Sequence, residues 1–308
     1  GSVAAYVARR VLAGVPVLFL VVTAVFFAFQ LIPGDPARAF LGPEATPDVV
    51  ERVRRELGLD RPVIVQYASY LRRLVQGDLG RSIMTRRDVS LELAAPFLST
   101  VKLSVASIVL ATVVGVLLGT VAAVRQGSAW DHLASIVALL GISIPVFWLG
   151  LLMMYLFSVN LRILPSAGDD TWRHYVMPTI SLATFSLAFI ARMTRSSLLE
   201  VIRQDYVRTA RAKGAPEWRV VGYHALRNAL LPVVIVVGLR FGYMLGGAVV
   251  IEQVFAWPGL GRLLVAAVGQ RDIPLIQGIL LLFATSFVLV NLIVDLLYGF
   301  LDPQIRYR

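Results

Sequence analysis

LSVASIVLATVVGVLLGTVAAV, residues Leu103 to Val124, is an apolar run without a single charge. A bilayer core about 30 Å thick takes roughly 20 helical residues at about 1.5 Å each, so this run predicts a helix that crosses a membrane. Five further stretches read the same way. Val11 to Ile32 is clean; Leu133 to Phe157 is broken by Pro145; Leu230 to Val250 carries one charge, Arg240; Leu275 to Leu297 ends near Asp295. Met177 to Met193 is shorter and holds Ser181, Thr184 and Ser186, which fits either an interfacial segment or a span, and parity of the topology favours a span. The reading is an all-α, polytopic integral membrane protein with six transmembrane helices.

Composition agrees. Of 308 residues 57% are hydrophobic and 16% charged, with a mean hydropathy of +0.75, whereas soluble domains carry about 25% charged residues. Cysteine is absent, which excludes disulfides, thiolate metal sites and a cysteine nucleophile. The net charge of +10 would suit nucleic acid, but in an apolar chain it reports basic loops on one side of a membrane. Lys and Arg crowd the short pieces 1–10, 125–132, 194–229 and 299–308 and thin out in loops 158–177 and 252–273, which puts both termini on the cytoplasmic side. The first run is longer than a removable signal peptide and lacks its small-residue cleavage site, so it is read as a retained helix.

Three regions follow: a cytoplasmic N-terminus with the first span (1–32), an extracytoplasmic helical subdomain (33–100), and a five-helix core with a cytoplasmic loop at 194–229 (101–308). Within 33–100, Thr46-Pro47-Asp48 offers a capping hydroxyl, a first-turn proline and an acid at the positive helix end, and Gly58 marks its stop. A second helix is expected from Pro62 to Gln76, stopping at Gly77.

The loop 194–229 is too regular for a mere connection. Leu198, Val201, Ile202 and Val207 recur at helical spacing while Arg195, Arg203, Asp205, Arg208 and Arg211 take other faces. This predicts one amphipathic helix capped by Gly214, then a second short helix opened by Pro216 and Glu217. Thr209, Ala210 and Ala212 beside Gly214 admit close approach of a partner, and the arginines suit an acidic socket; a basic helix lying on anionic lipid is the alternative.

From Asp205 the chain reads DYVRTARAKGAPEWRVVGYHALRNALLP. This stretch resembles the coupling loop of the permease subunits of binding-protein-dependent ABC importers, whose general pattern is Glu-Ala-Ala, three residues, Gly, nine residues, then Ile-x-Leu-Pro. Ala210, Gly214 and Leu226 fit that pattern; Arg208 and Thr209 stand at the Glu and first Ala, and His224 and Arg227 at the Ile and Pro. The form is similar to that of the peptide, nickel and glutathione permeases. LIPGDP (Leu31 to Pro36), LGLDRPVIVQY (Leu57 to Tyr67), GDLGRS (Gly77 to Ser82), LPSAG (Leu164 to Gly168), FAWPGLGRLL (Phe255 to Leu264) and VDLLYGFLDPQIRY (Val294 to Tyr307) resemble the B-type permease of a dipeptide or oligopeptide importer.

The resemblance implies a type I ABC importer transmembrane fold in a bacterial or archaeal inner membrane. It implies a second, C-type permease subunit, two cytoplasmic ATPase subunits that bind ATP and Mg, and an extracytoplasmic peptide-binding protein. The cargo it implies is a di- or oligopeptide, with a nickel chelate or glutathione as alternatives. Asp205, Tyr206, Arg208, Thr209, Ala210, Arg211, Ala212, Lys213 and Gly214 would meet an ATPase subunit. No cofactor and no metal are expected in this chain.

Within the spans, Gly238, Gly242 and Gly246 repeat every fourth residue and read as a seam or as ordinary small-residue packing; Gly115 and Gly119 repeat the spacing. Arg240 projects away from that strip, and an arginine in a span costs at least about 2.5 kcal/mol unless it meets protein or water. It reads as a residue of the translocation path, as the partner of Asp295, or as snorkelling to the inner surface. Pro145 predicts a kink.

Other functions lack their parts. No HExxH occurs, His132, His174 and His224 are scattered, and the two lysines, Lys102 and Lys213, do not sit in a Gly-Lys-Ser/Thr loop. The chain is therefore expected not to be an enzyme. An ion-coupled carrier is the runner-up, though such carriers place acids at mid-membrane, whereas Glu252 and Asp295 lie near span ends.

Overall fold

A computed structural model describes residues 3–301, and the regular structure of those residues is helical apart from one isolated bridge, Arg81 to Asp88. Gly1 and Ser2, and the part of the Val294 to Tyr307 stretch beyond residue 301, lie outside the described residues.

Helix α1 is Val3–Gln30. A short α2, Pro36–Leu41, begins where Asp35 accepts the Ala37 N–H at 3.0 Å. Helix α3, Pro47–Glu56, starts where the sequence predicts, but the Thr46 side chain makes no capping bond, so the start rests on the proline and on Asp48 at the positive end. Helix α4, Val63–Val75, ends before Gly77, whose φ of +79° only glycine adopts without strain. Helices α1 and α4 meet through Phe26 stacked on Tyr70 at 5.5 Å and a 2.6 Å hydrogen bond between Thr23 and Tyr67.

The uncharged run Leu103 to Val124 is the larger part of α5, Val89–Val124. Ser128 then caps α6, Ala129–Ser143. Pro145 separates α6 from α7, Val146–Met154, which continues as a π-helical turn, Tyr155–Asn160. The two arms of this predicted third span are bent by 100°. Proline here does more than kink: Ile144 and Pro145 are both extended, at ψ 124° and 131°, so two residues leave the helix together. The described residues hold five helices long and apolar enough to cross a membrane, and six if this bent pair counts as one.

Helix α8, Trp172–Ile202, corrects the short reading of Met177 to Met193. It is the best-buried long helix, and its hydroxyls are accommodated without water: Ser181 and Ser186 are buried, with Ser181 Oγ donating to Met153 Sδ at 3.5 Å, and Thr184 Oγ1 donates back to the Ile180 carbonyl of its own helix at 2.7 Å. The predicted single amphipathic helix to Gly214 is two, because Gln204 is extended (ψ 148°) between α8 and α9, Asp205–Ala212. The predicted second short helix, α10 (Glu217–Arg219), passes through a π-helical turn, Val220–Ala225, directly into α11, Leu226–Gly247. Helices α12 (Val249–Val254) and α13 (Leu260–Gly269) form a hairpin, and α14 is Ile273–Leu301.

The core gathers around α8, where Met177, Ile190, Leu103, Ile251, Phe255 and Trp257 are buried together. Helix α5 lies along α8 at its closest through Gly119, where a Cβ would stand 2.5 Å from the Ala191 carbonyl oxygen and 2.7 Å from Thr194 Cβ.

Candidate functional site

The elbow formed by α9 to α11 stands on an aliphatic footing. Val207 and Ala210 turn inward onto Leu198 of α8, Ala123 at the end of α5, and Val220, Val221 and Ala225 of the π-helical turn. Everything else on α9 is exposed: Asp205, Tyr206, Arg208, Thr209, Arg211 and Ala212, followed by Lys213 and Gly214. Ala210, predicted as part of a contact surface, is buried in the footing at the base of that surface.

Gly214 reverses the chain at a φ of +78°, with its N–H on the Arg211 carbonyl at 2.9 Å. Arg211 reaches across the reversal to grip Glu217 with two bonds, 2.7 and 3.2 Å. That carboxylate raises the Arg211 guanidinium further above its ordinary range. Asn228 Nδ2 donates to the Tyr206 hydroxyl at 2.7 Å, and Ser197 Oγ to the Ala229 carbonyl at 2.9 Å, so α9, α8 and α11 are tied to one another. Asp131 takes two bonds from Arg195 at 2.7 and 2.9 Å and one from the Gly127 N–H at 2.9 Å, pinning the α5–α6 turn to α8 beside the elbow. The result is a stiff basic knob. Trp218, 71% exposed with Arg219 over its ring at 5.1 Å, adds an aromatic edge that the sequence reading passed over.

At the opposite end of the bundle the α12–α13 hairpin folds over a buried carboxylate. Glu252, with no exposed surface, accepts from Thr100 Oγ1 at 2.6 Å and from the Arg262 N–H at 3.0 Å, and Gly259 and Gly261 leave it room. Burial pushes this carboxyl above the usual carboxylate range, opposed by those hydrogen bonds. Trp257 Nε1 donates to the Ser99 carbonyl at 3.0 Å, and its ring meets Tyr175 edge-on at 4.6 Å. Asp272, also fully buried, accepts from the Ser82 hydroxyl and the Ile83 N–H. Neither anchor has a local sequence signature, since Thr100 lies far from Glu252 in the chain and Ser82 far from Asp272.

Among the remaining candidates, Gly238 and Gly242 are packed against α14, on Val294 and Phe287, but Gly246 meets nothing within 4 Å, so the strip is two glycines long. Gly115 and Gly119 do pack, against α8. Pro145 makes the 100° bend. Asp295 is 3.1 Å from Arg10, not Arg240. Arg240 lies over the Phe189 ring at 3.6 Å, with Phe185 and Tyr243 at 5.5 and 5.9 Å. Among the described residues no group of His, Cys, Asp and Glu could hold a metal ion.

Comparison with known proteins accounts for this architecture. Residues 115–307 match the family described as binding-protein-dependent transport system inner membrane component, and residues 3–101 match the N-terminal model of such membrane components. The chain is 48% identical to the glutathione transport system permease protein GsiC of Escherichia coli (strain K12), over 98% of this chain and 99% of that protein. The GsiC of Salmonella typhimurium (strain LT2) matches to the same extent. The solved inward-facing MetNI methionine ABC transporter superposes with a TM-score of 0.59 at 22% identity, covering 69% of this chain and 97% of that one. An amino acid ABC transporter solved with histidines gives 0.52 at 16%, covering 70% and 94%. This chain belongs to the binding-protein-dependent inner membrane permeases, as a permease subunit of an ABC importer in the peptide, nickel and glutathione group.

Proposed function

We propose that this permease forms half of the translocation pathway of an ATP-driven peptide importer, moved by fuel spent in other subunits. The elbow carries this reading: Asp205, Tyr206, Arg208, Thr209, Arg211, Ala212, Lys213 and Gly214 are presented on a footing that Val207 and Ala210 fix. Two cytoplasmic ATPase subunits, binding ATP and Mg, would grip this elbow and its counterpart on a C-type permease, and both termini would lie on that side of the inner membrane. An extracytoplasmic binding protein would deliver cargo at the α12–α13 end, near the helices of residues 33–100. Closure of the ATPase subunits would then carry α9, and with it α8 and α11, to switch access across the membrane.

The cargo class is a di- or oligopeptide. Glutathione, itself a tripeptide, is the second reading, favoured by the 48% identity to permeases of that name.

Purification of the permease from a host that expresses the neighbouring subunits tests the reading. The ATPase subunits should come with it, and binding protein loaded with peptide should stimulate hydrolysis in proteoliposomes. A permease that purifies alone and moves peptide without ATP would refute it.

A further inference from the structure

We propose that Arg240, laid on an aromatic platform of Phe189, Phe185 and Tyr243, is an intramembrane binding site for the carboxylate of the passing substrate. The inference rests on the importer reading above and adds the chemistry of the site to it.

Arg240 is the fifteenth of 22 residues in α11, about 10 Å by helical rise from the Gly247 end and so well inside the apolar layer. A cation there requires an anion, water or a π-face. The described residues supply only the last. Its guanidinium carbon sits 3.6 Å over the Phe189 ring, and among the described residues no carboxylate lies within ion-pair distance and no acceptor takes its N–H groups. The acids that could serve are engaged elsewhere: Asp295 with Arg10, Glu252 with Thr100 and Arg262, Asp131 with Arg195.

The Phe189 ring supports the guanidinium without taking its N–H groups, which remain available as the fork that binds a carboxylate with two parallel bonds. The surface beside it is left open by the described residues. Tyr243 is 63% exposed one turn along α11, Gly246 and Gly247 are exposed beyond it, and on α8 the row Phe185, Phe189, Arg192 ends in a second, exposed cation toward the elbow. Peptides share one anionic group whatever their side chains, the terminal carboxylate. A single arginine on an aromatic face can recognise that group and, with no enclosing cage of partners, release it again.

The test uses the whole importer in proteoliposomes, with tri-alanine and glutathione as probes beside their carboxyl-amidated forms. ATP-dependent uptake of an acid probe by the wild type is the premise; its absence for both acids would sink the importer reading and this inference with it. Given uptake, Arg240→Gln should lower transport of the acid by about tenfold or more, the loss of a charge-assisted pair. Amide transport should change less than about twofold, with assembly and basal ATPase activity retained. Arg240→Lys should restore part of the acid uptake. Equal losses for acid and amide, unchanged acid uptake, or loss of the second permease subunit on purification would each overturn the proposal, the last by showing that the arginine pairs with a carboxylate of that subunit.

Discussion

The two ends of the bundle are held by opposite means. At the hairpin end, carboxylates are buried and spend themselves on backbone N–H groups and hydroxyls: Glu252 on Thr100 and Arg262, Asp272 on Ser82 and Ile83. At the elbow end the footing itself is aliphatic and the charges of α9 and α10 stay outside, where Arg211 and Glu217 pair in water; the one buried carboxylate nearby, Asp131, is held by Arg195 at the α5–α6 turn beside it. A buried hydrogen-bonded carboxylate gives a fixed orientation and fails abruptly when cut. An aliphatic footing with exposed charges keeps its shape while leaving those charges for another protein. One end encloses its anchoring charges; the other displays its charges to the outside, as the proposed contact with an ATPase subunit would need.

The contrast breaks most severely at Glu252. Glu252→Ala strands the Thr100 hydroxyl and the Arg262 N–H and opens a void between Gly259 and Gly261; a loss on the order of 3 kcal/mol is expected, read as a lower melting temperature in detergent. Glu252→Gln fills the void but offers one acceptor oxygen where the carboxylate offers two, to Thr100 and to the Arg262 N–H, so it should recover only part of the loss. An unchanged melting temperature in the alanine variant would mean that apolar contacts alone hold the hairpin. Next comes Gly119→Val, which drives a branched side chain into the Ala191 carbonyl and should cost about 1–3 kcal/mol by forcing α5 from α8. Gly246→Ala, with open space around it, is the control and should be near neutral.

Gly214→Val is smaller in stability and larger in function. Its φ of +78° costs a branched residue roughly 1–2 kcal/mol, confined to the elbow, so the spans should insert and melt almost normally while peptide-stimulated ATP hydrolysis falls. Wild-type coupling in that variant would remove the elbow from the mechanism. Arg211→Ala is the mildest: its ion pair is exposed and should contribute under about 1 kcal/mol. A melting shift as large as that of Glu252→Ala would erase the distinction between the two ends.

Much of the fold is legible in residue order because lipid imposes a crude demand, an apolar run of sufficient length. That demand exposed the first, second, fifth and sixth spans and marked Pro145 as a break. It placed α8 but cut it short, since a helix wrapped by other helices is free to carry Ser181, Thr184 and Ser186. The break at Gln204 was invisible because the amphipathic pattern of Leu198, Ile202 and Val207 runs through it with neither glycine nor proline. At the elbow the cap at Gly214 was readable locally, but the Arg211–Glu217 grip and the Tyr206–Asn228 bond depend on how the chain returns. The platform under Arg240 joins two helices, and no spacing within either one announces it.

Helix α8 touches both kinds of end: Leu198 sits in the elbow footing and Tyr175 lies against Trp257 of the hairpin. Its 31 residues make a rod about 46 Å long. Were the rod to tilt by about 5° about its middle, each tip would travel roughly 2 Å in opposite directions, about the slack that packed helices tolerate when they slide. A push no larger than a bond length or two at Val207 would then arrive, reversed in sign, at the indole of Trp257.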